Sequence, residues 1–284
     1  MTEETRTNAP AMLASGVVLA AILVLVAAVS SAEASAPSFT APSTRLGIDL
    51  ASQPEHTAIC SVRWDQGRAT VEGVRCDVDD DDLVAAIAAA DKVGIDVPFG
   101  WPDAFVKAVA AYSQTGRWPT TRIERSKTNK PLYFRATDHF IYEQTRRWPL
   151  SVSSDRIAIP AIRAAALFTR LADEGQAVAR DGAGKVVEVY PAAALRAWQF
   201  EPTKYKRKEN RDARCKLLAD IRCRTERWLD LRDDDHRLCE DSDDALDALV
   251  AALIARAAAV GQCEPIPDNL SAVAKREGWI SLPK

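Results

Sequence analysis

Aspartate is the residue type from which this chain could build a reactive centre. Asp49 lies in the run GIDLAS and Asp96 in GIDVPFG. An acid inside an apolar β run is depleted, and it is costly to bury unless it is paired or holds a cation. Two such runs in one chain are hard to explain as solvent-facing decoration. The third acidic element is DSDDALDALVAALIARA, Asp241 to Ala257. There Asp241, Ser242 and Asp243 suit a helix cap and first turn, where oxygens satisfy free backbone N–H groups. Asp244 and Asp247, three residues apart, project from one helix face on the shoulder of the stripe Leu246, Leu249, Val250 and Leu253. Capping does not account for Asp247, a full turn inside.

If these segments meet, four carboxylates cannot all stay ionised at close range without cations. Oxygen-only ligation suits Mg2+ or Mn2+, and two such ions about 4 Å apart can activate a water and stabilise a leaving oxygen in phosphodiester cleavage. In that scheme Asp49 bridges the two ions, while Asp96 and the pair Asp244/Asp247 hold one each. A lysine or arginine filling the gap between the acids would instead leave a fold with no hydrolytic centre.

The elements that must position these residues read in a consistent order. RLGIDLAS, HTAICSVRW and RATVEGVRCDV are three strands joined by short turns, with Asp65-Gln66-Gly67 as a turn signal, so they predict an antiparallel meander. DDDDLVAAIAAA is a helix with acids at its start, and KVGIDVPFG a buried strand stopped by Pro98. Residues of about 101–184 read as a helical insertion, including PAIRAAALFTRLADEG with Pro160 at its first position. GKVVEVYPAA is a strand broken by Pro191. A basic helix around ARCKLLADIRCRTERWL and a closing helix from Ser242 to Val260, stopped by Gly261, complete the order. The expected fold class is α/β: a mixed five-stranded sheet, three antiparallel strands then two parallel, flanked by helices, with the insertion before the last strand.

Net charge of −3 gives no global attraction to nucleic acid, but charge is segregated locally. Lys204 to Arg227 holds ten Lys and Arg against four acids, and Asp230 to Asp247 nine acids against two arginines. The pairing suggests a polyanion site beside a metal site, or two solvated faces. Within the basic stretch Lys204, Lys206, Arg207, Lys208, Arg211 and Arg214 could neutralise phosphates, and Tyr205 could stack on a base. The six cysteines form no Cys-x-x-Cys and the three histidines show no zinc spacing, so structural zinc is not expected.

The first 44 residues read as separate from the domain at 45–264, with 265–284 as a C-terminal tail. Residues 11–29 are an uncharged apolar run, and a Pro/Ser/Ala-rich linker follows. That length suits a membrane anchor. A signal peptide and a downstream start near Thr44, leaving a cytoplasmic protein, are the alternatives.

The motifs GIDLAS, GIDVPFG, FRATD, EVYPAAAL and DDALDALVAAL, in this order, resemble domain-of-unknown-function family 429, regarded as predicted nucleases of ribonuclease H-like fold. The resemblance runs from about Leu46 to Val260. The closing Asp244-x-x-Asp247-Ala248-Leu249 is also similar to the end of RuvC-type Holliday-junction resolvases, whose metal-binding acids have that spacing. Their fourth-strand acid is a glutamate; Asp96 has a shorter arm. The resemblance implies a nuclease acting on DNA or RNA with Mg2+ or Mn2+. It also draws in Arg135 and Asp138 of FRATD, as phosphate contacts or loop-ordering residues, and Glu188 of EVYPAA, as an extra acidic ligand or a structural hydrogen-bond partner. A non-catalytic nucleic-acid-binding or scaffold protein of the same fold is the rival reading. An actin-like or sugar-kinase-like phosphotransferase is a remote one, since Asp49 is followed by Leu-Ala-Ser-Gln and not by a glycine-rich phosphate loop.

Overall fold

The computed structural model describes residues 41–119, 130–207 and 209–284. The apolar run at 11–29, with its anchor, signal and late-start readings, lies outside the described residues, as does Lys208. Among the described residues no helix is long and apolar enough to cross a membrane.

The meander forms as its alternation requires. Strands β1 (Ser43–Asp49), β2 (Ala58–Asp65) and β3 (Arg68–Arg75) pair antiparallel in sequence. The β2–β3 hairpin turns on Gln66 and Gly67, both at positive φ (46° and 79°), the geometry that matches the natural twist of two strands. Strand β4 (Lys92–Asp96) pairs parallel to β1, and β5 (Val186–Glu188) parallel to β4. A sixth strand, β6 (Leu229–Asp230), joins the far edge parallel to β3, giving the order β5-β4-β1-β2-β3-β6. Five strands were expected, and the insertion was expected before the last of them. A two-residue strand has no alternation to read, and β6 follows the insertion by a further forty residues of chain.

Helix α1 (Asp80–Ala89) links β3 to β4, and the Asp79 side chain caps it by accepting from Asp82 N at 2.9 Å. Between β4 and β5 lie α2 (Asp103–Thr115), α3 (Lys130–Tyr133), α4 (Ala136–Thr145) and α5 (Ala158–Asp173). After β5 come α6 (Pro191–Ala197), α7 (Arg211–Thr225), α8 (Asp233–Asp241), α9 (Asp243–Ala259) and α10 (Ser271–Glu277). Both sheet faces are covered. Leu46, Ile48, Val93 and Ile95 pack with Leu83 and Ile87 of α1 and with Leu167 and Leu171 of α5. On the other face Ala58, Val62, Val71 and Val187 pack with α7 and α9.

Helix α9 is buried on nearly every side, beyond the single stripe its leucines predict. Its small residues press on the sheet: a Cβ at Gly47 would lie 2.0 Å from the Ala248 carbonyl oxygen, and one at Gly94 2.6 Å from that of Ala251. Residues 265–284 are part of the fold and not a loose tail. Ile280 bridges to Glu188 beside β5, and Trp279, Ile280 and Leu282 are buried.

Candidate active site

The two G-I-D runs owe their form to α9. In the β1–β4 register Gly47 faces Gly94 and Asp49 faces Asp96. Strand alternation sends Leu46, Ile48, Val93 and Ile95 into the opposite core, and so turns both glycines and both aspartates toward α9. The glycines admit the helix backbone. Two residues on, where the parallel strands end, the aspartates meet the first turns of α9, which carry Asp244 and Asp247. Ser242 starts that helix, its hydroxyl accepting from Ala245 N at 3.2 Å. Three segments far apart in sequence thus bring four carboxylates within each other's field.

The cost of gathering them is visible in their acidities. Burial, and then Asp96, Asp247 and Asp244, raise Asp49 well above the carboxylate range, against an opposing pull from Lys206. Burial, together with Asp247 and Glu188, raises Asp96 to about 7. Asp244, at the mouth with 30% of its side chain exposed, is raised to about 6 by burial and by Asp243, while His56 Nδ1 at 3.9 Å opposes this. Asp247 is fully buried, and burial raises it too.

Among the described residues one cationic side chain, Lys206, sits within this cluster. Lys206 pairs directly with Asp247 Oδ2 and lies 3.6 Å from Asp96 Oδ2, with 39% of its side chain still exposed. Burial disfavours its charge, yet Asp247, Tyr205, Asp96 and Asp49 more than offset that and raise its pKa. Tyr205 OH donates to Asp247 Oδ1 at 2.7 Å. The lysine that would close the gap is therefore present, carried on the loop between α6 and α7 and not on a helix or strand.

A hard divalent cation suits the donor set in kind: the four acids offer only oxygen ligands. Asp247 Oδ2 is buried, and the ammonium of Lys206 is the partner that offsets its charge. The arrangement itself is not a cation cage. Among the described residues no group of three or more His, Cys, Asp or Glu side chains is set to hold a metal ion.

Other expected site residues fall elsewhere. Glu188 lies on the opposite side of β5 from Val187, buried against Arg135, whose Nη2 donates to Glu188 Oε1 at 2.7 Å and to Asp138 Oδ1 at 3.0 Å. Glu188 Oε2 also accepts from Phe99 N at 3.0 Å. Both its oxygens are engaged, and Arg135 is 2% exposed, so Arg135 and Asp138 are in place to order the loop and not to meet a phosphate. Tyr205 is likewise 2% exposed and offers no ring face to a base. Arg214 is buried and donates to the carbonyls of Tyr205, Arg207 and Glu240, tying the lysine loop to α8. Arg211 is taken up by Glu240 and Asp241. Arg207 and Lys204 remain at the surface. Sequence reasoning missed Lys206 as a member of the acid cluster and His56 at its mouth. An irregular loop has no periodicity from which either placement could be read.

The fold and the acids define a class first: an α/β protein with a mixed six-stranded sheet, whose carboxylates gather where two parallel strands end beneath a buried helix. Residues 47–272 match the family described as Protein of unknown function (DUF429), and the chain belongs to that family. No curated protein and no solved structure matches it.

Proposed function

We propose that the protein is a metal-dependent nuclease that hydrolyses phosphodiester bonds at the cluster of Asp49, Asp96, Asp244 and Asp247. One observation carries the reading: Asp49 and Asp96 are register partners on β1 and β4, and α9 lays Asp247 and Asp244 over them. The strand order β5-β4-β1-β2-β3, antiparallel through the meander and parallel beyond it, supports a ribonuclease H-like fold, with β6 an addition to that plan. Asp49 and Asp96 at the strand ends, with Asp247 and Asp244 above, are the residues that would hold Mg2+ or Mn2+. Such ions supply an activated water and offset charge on the leaving oxygen. The protein's own part is to hold desolvated carboxylates in place, so that a cation binds in preference to protons. Tyr205 fixes the Asp247 carboxylate, and Lys206 supplies positive charge until a cation takes its place.

The test is cleavage of labelled single- and double-stranded DNA and RNA by the full-length chain, with and without Mg2+ or Mn2+. Metal-dependent cleavage that Asp49→Asn abolishes is expected. No cleavage on any of these substrates, together with an Asp49→Asn protein indistinguishable from the parent, refutes the reading.

A second reading has an observation of its own in Lys206, which fills the gap between the acids as expected of a fold without a hydrolytic centre. If that ammonium stays paired with Asp247, the chain is a non-catalytic nucleic-acid-binding protein of the same fold. Salt-sensitive binding without turnover, unchanged by Asp244→Asn, would mark it.

A further inference from the structure

Next to the acid cluster runs a groove of about 280 Å³. Its walls carry Arg147, Trp148, Tyr190, Arg196 and Lys204, and it ends on Tyr205 and Lys206, the two residues that touch Asp247. Among the described residues no acidic one lines it. Elsewhere in the fold Arg163, Arg170, Arg211, Arg232 and Arg276 each hold a carboxylate. Among the described residues neither Arg147, Arg196 nor Lys204 has a carboxylate partner; Arg196 donates to its own helix, to the Ala192 carbonyl at 3.0 Å. Three cations with no carboxylate partner thus line one groove, and like charge gathered in a cleft raises the local concentration of anions.

The walls are firm. Trp148 stacks on Tyr142 (centroids 4.3 Å apart, 15° between planes) and packs on Phe134 at 4.3 Å. Tyr190, half-buried, precedes Pro191 at the start of α6, and Arg196 projects from that same helix. The groove thus joins packed aromatic side chains and cations in one lining, and shares Tyr205 and Lys206 with the carboxylates.

We propose that this groove seats the sugar–phosphate backbone of a single nucleic-acid strand and delivers it past Lys206 to the carboxylates. The assignment deepens the nuclease reading, and rests on it for the direction of the strand. A phosphodiester is the chemistry that meets successive guanidinium and ammonium groups without needing an acidic acceptor. The space is of nucleotide size, too small for a duplex. Lys206 joins the two sites: a backbone phosphate arriving from the groove offers its ammonium another anion, which would draw it from Asp247.

The test is fluorescence anisotropy with a labelled single-stranded oligonucleotide, as DNA and as RNA, on full-length Asp49→Asn protein in EDTA, so that no turnover intervenes. Unlabelled duplex, mononucleotide and inorganic phosphate serve as competitors. Adding Arg147→Gln and Arg196→Gln together is expected to weaken binding at least tenfold. It should also flatten the dependence of log Kd on log salt by about 1.4, since two phosphates of a single strand are then no longer neutralised. Arg222→Gln with Arg227→Gln, outside the groove, is expected to change Kd less than about twofold. Melting temperatures within a degree or so of the parent establish that the variants fold, and Arg196→Lys is expected to restore part of the binding. Unchanged binding in the Arg147/Arg196 double variant overturns the proposal, as does a duplex or inorganic phosphate that outcompetes the single strand. If the groove variants lose binding but the parent never cleaves with Mg2+ or Mn2+, the nuclease reading falls and the groove stands. If the parent cleaves and the groove variants cleave equally well, the groove falls and the nuclease reading stands.

Discussion

Two buried ionic clusters lie on either side of the same sheet edge, and they are built on opposite principles. Around Arg135 the charge is closed. Its guanidinium reaches Asp138 and Glu188 at 3.0 and 2.7 Å, Glu188 also accepts from Phe99 N, and Glu277 receives Asp103 N and Ala136 N. Burial works against the Arg135 charge, but the two carboxylates outweigh it and raise its pKa. Around Lys206 the charge is left open. Among the described residues four carboxylates share one ammonium, and every one of the four acids is raised. Each carboxylate oxygen in the first cluster has a partner, so it holds α4, β5 and the C-terminal segment together. The second keeps a surplus of negative charge that only something from outside the chain can settle.

The comparison breaks most sharply by mutation of one acid from each cluster. Asp49→Asn is expected to lower metal-dependent cleavage by about 10³-fold, the scale on which preorganised transition-state electrostatics act, while the melting temperature holds or rises because a repulsive buried charge is gone. A variant that keeps its rate would place Asp49 outside the reaction. Arg135→Met should do the reverse. It strands Asp138 and Glu188 as buried charges, and a loss of roughly 3–5 kcal/mol in urea unfolding is expected, with no relief from divalent ions. Full rescue by Mg2+ would mean that the two clusters are not separate.

The same contrast governs how much could be read from the sequence. Asp49 and Asp96 stand out because strand alternation predicts an apolar residue or a solvent face, and neither fits an acid flanked by Ile48 and Leu50 or by Ile95 and Val97. The meander and the closing helix follow from periodicity, and Ser242 and Gly261 mark the ends of α9. Short elements such as β6, and α8 with its run of acids, carry no such period. The closed cluster was visible only as two isolated motifs, since nothing in FRATD or EVYPAA says that Arg135 and Glu188, 53 residues apart, share two hydrogen bonds. Lys206 was legible as positive charge near an acidic stretch, but a loop gives no direction to a side chain. Its place beside Asp247 had to come from the fold. Tyr205 illustrates the same limit: as a residue in a basic run it resembled a stacking platform, and burial made it a hydrogen-bond donor instead.

A milder perturbation is Lys206→Met, which removes the single cation from the open cluster. A fully buried pair broken on one side costs about 3–5 kcal/mol, but Lys206 is 39% exposed and water can partly replace it, so about 2 kcal/mol is expected without metal. Binding of Mg2+ or Mn2+, followed by calorimetry, should tighten by severalfold, because the ion no longer competes with an ammonium. Weaker binding would make Lys206 a partner of the cation and not its placeholder.

The smallest effect is on the pH dependence of stability, and its sign is fixed by Asp96. Its carboxyl titrates near 3.8 when unperturbed and is raised to about 7 in the fold. Between these values the folded chain binds more protons at this group than the unfolded chain does, so its contribution to stability is fully present below pH 4 and is lost as pH rises through 7. Asp103 slopes the opposite way, because its hydrogen bond from Arg276 lowers it against burial, whereas Asp49, Asp244, Asp247 and Glu188 slope with Asp96. The informative quantity is therefore the difference between the parent and Asp96→Asn. From pH 4.5 to about 7.5 the parent should lose stability relative to that variant, read as a falling difference in melting temperature. Millimolar Mg2+ or Mn2+ should erase the difference, because a cation that settles on the acids removes the advantage of a proton. The closed cluster offers no such exchange, so Glu188→Gln should be destabilising over the same pH range with or without the ion.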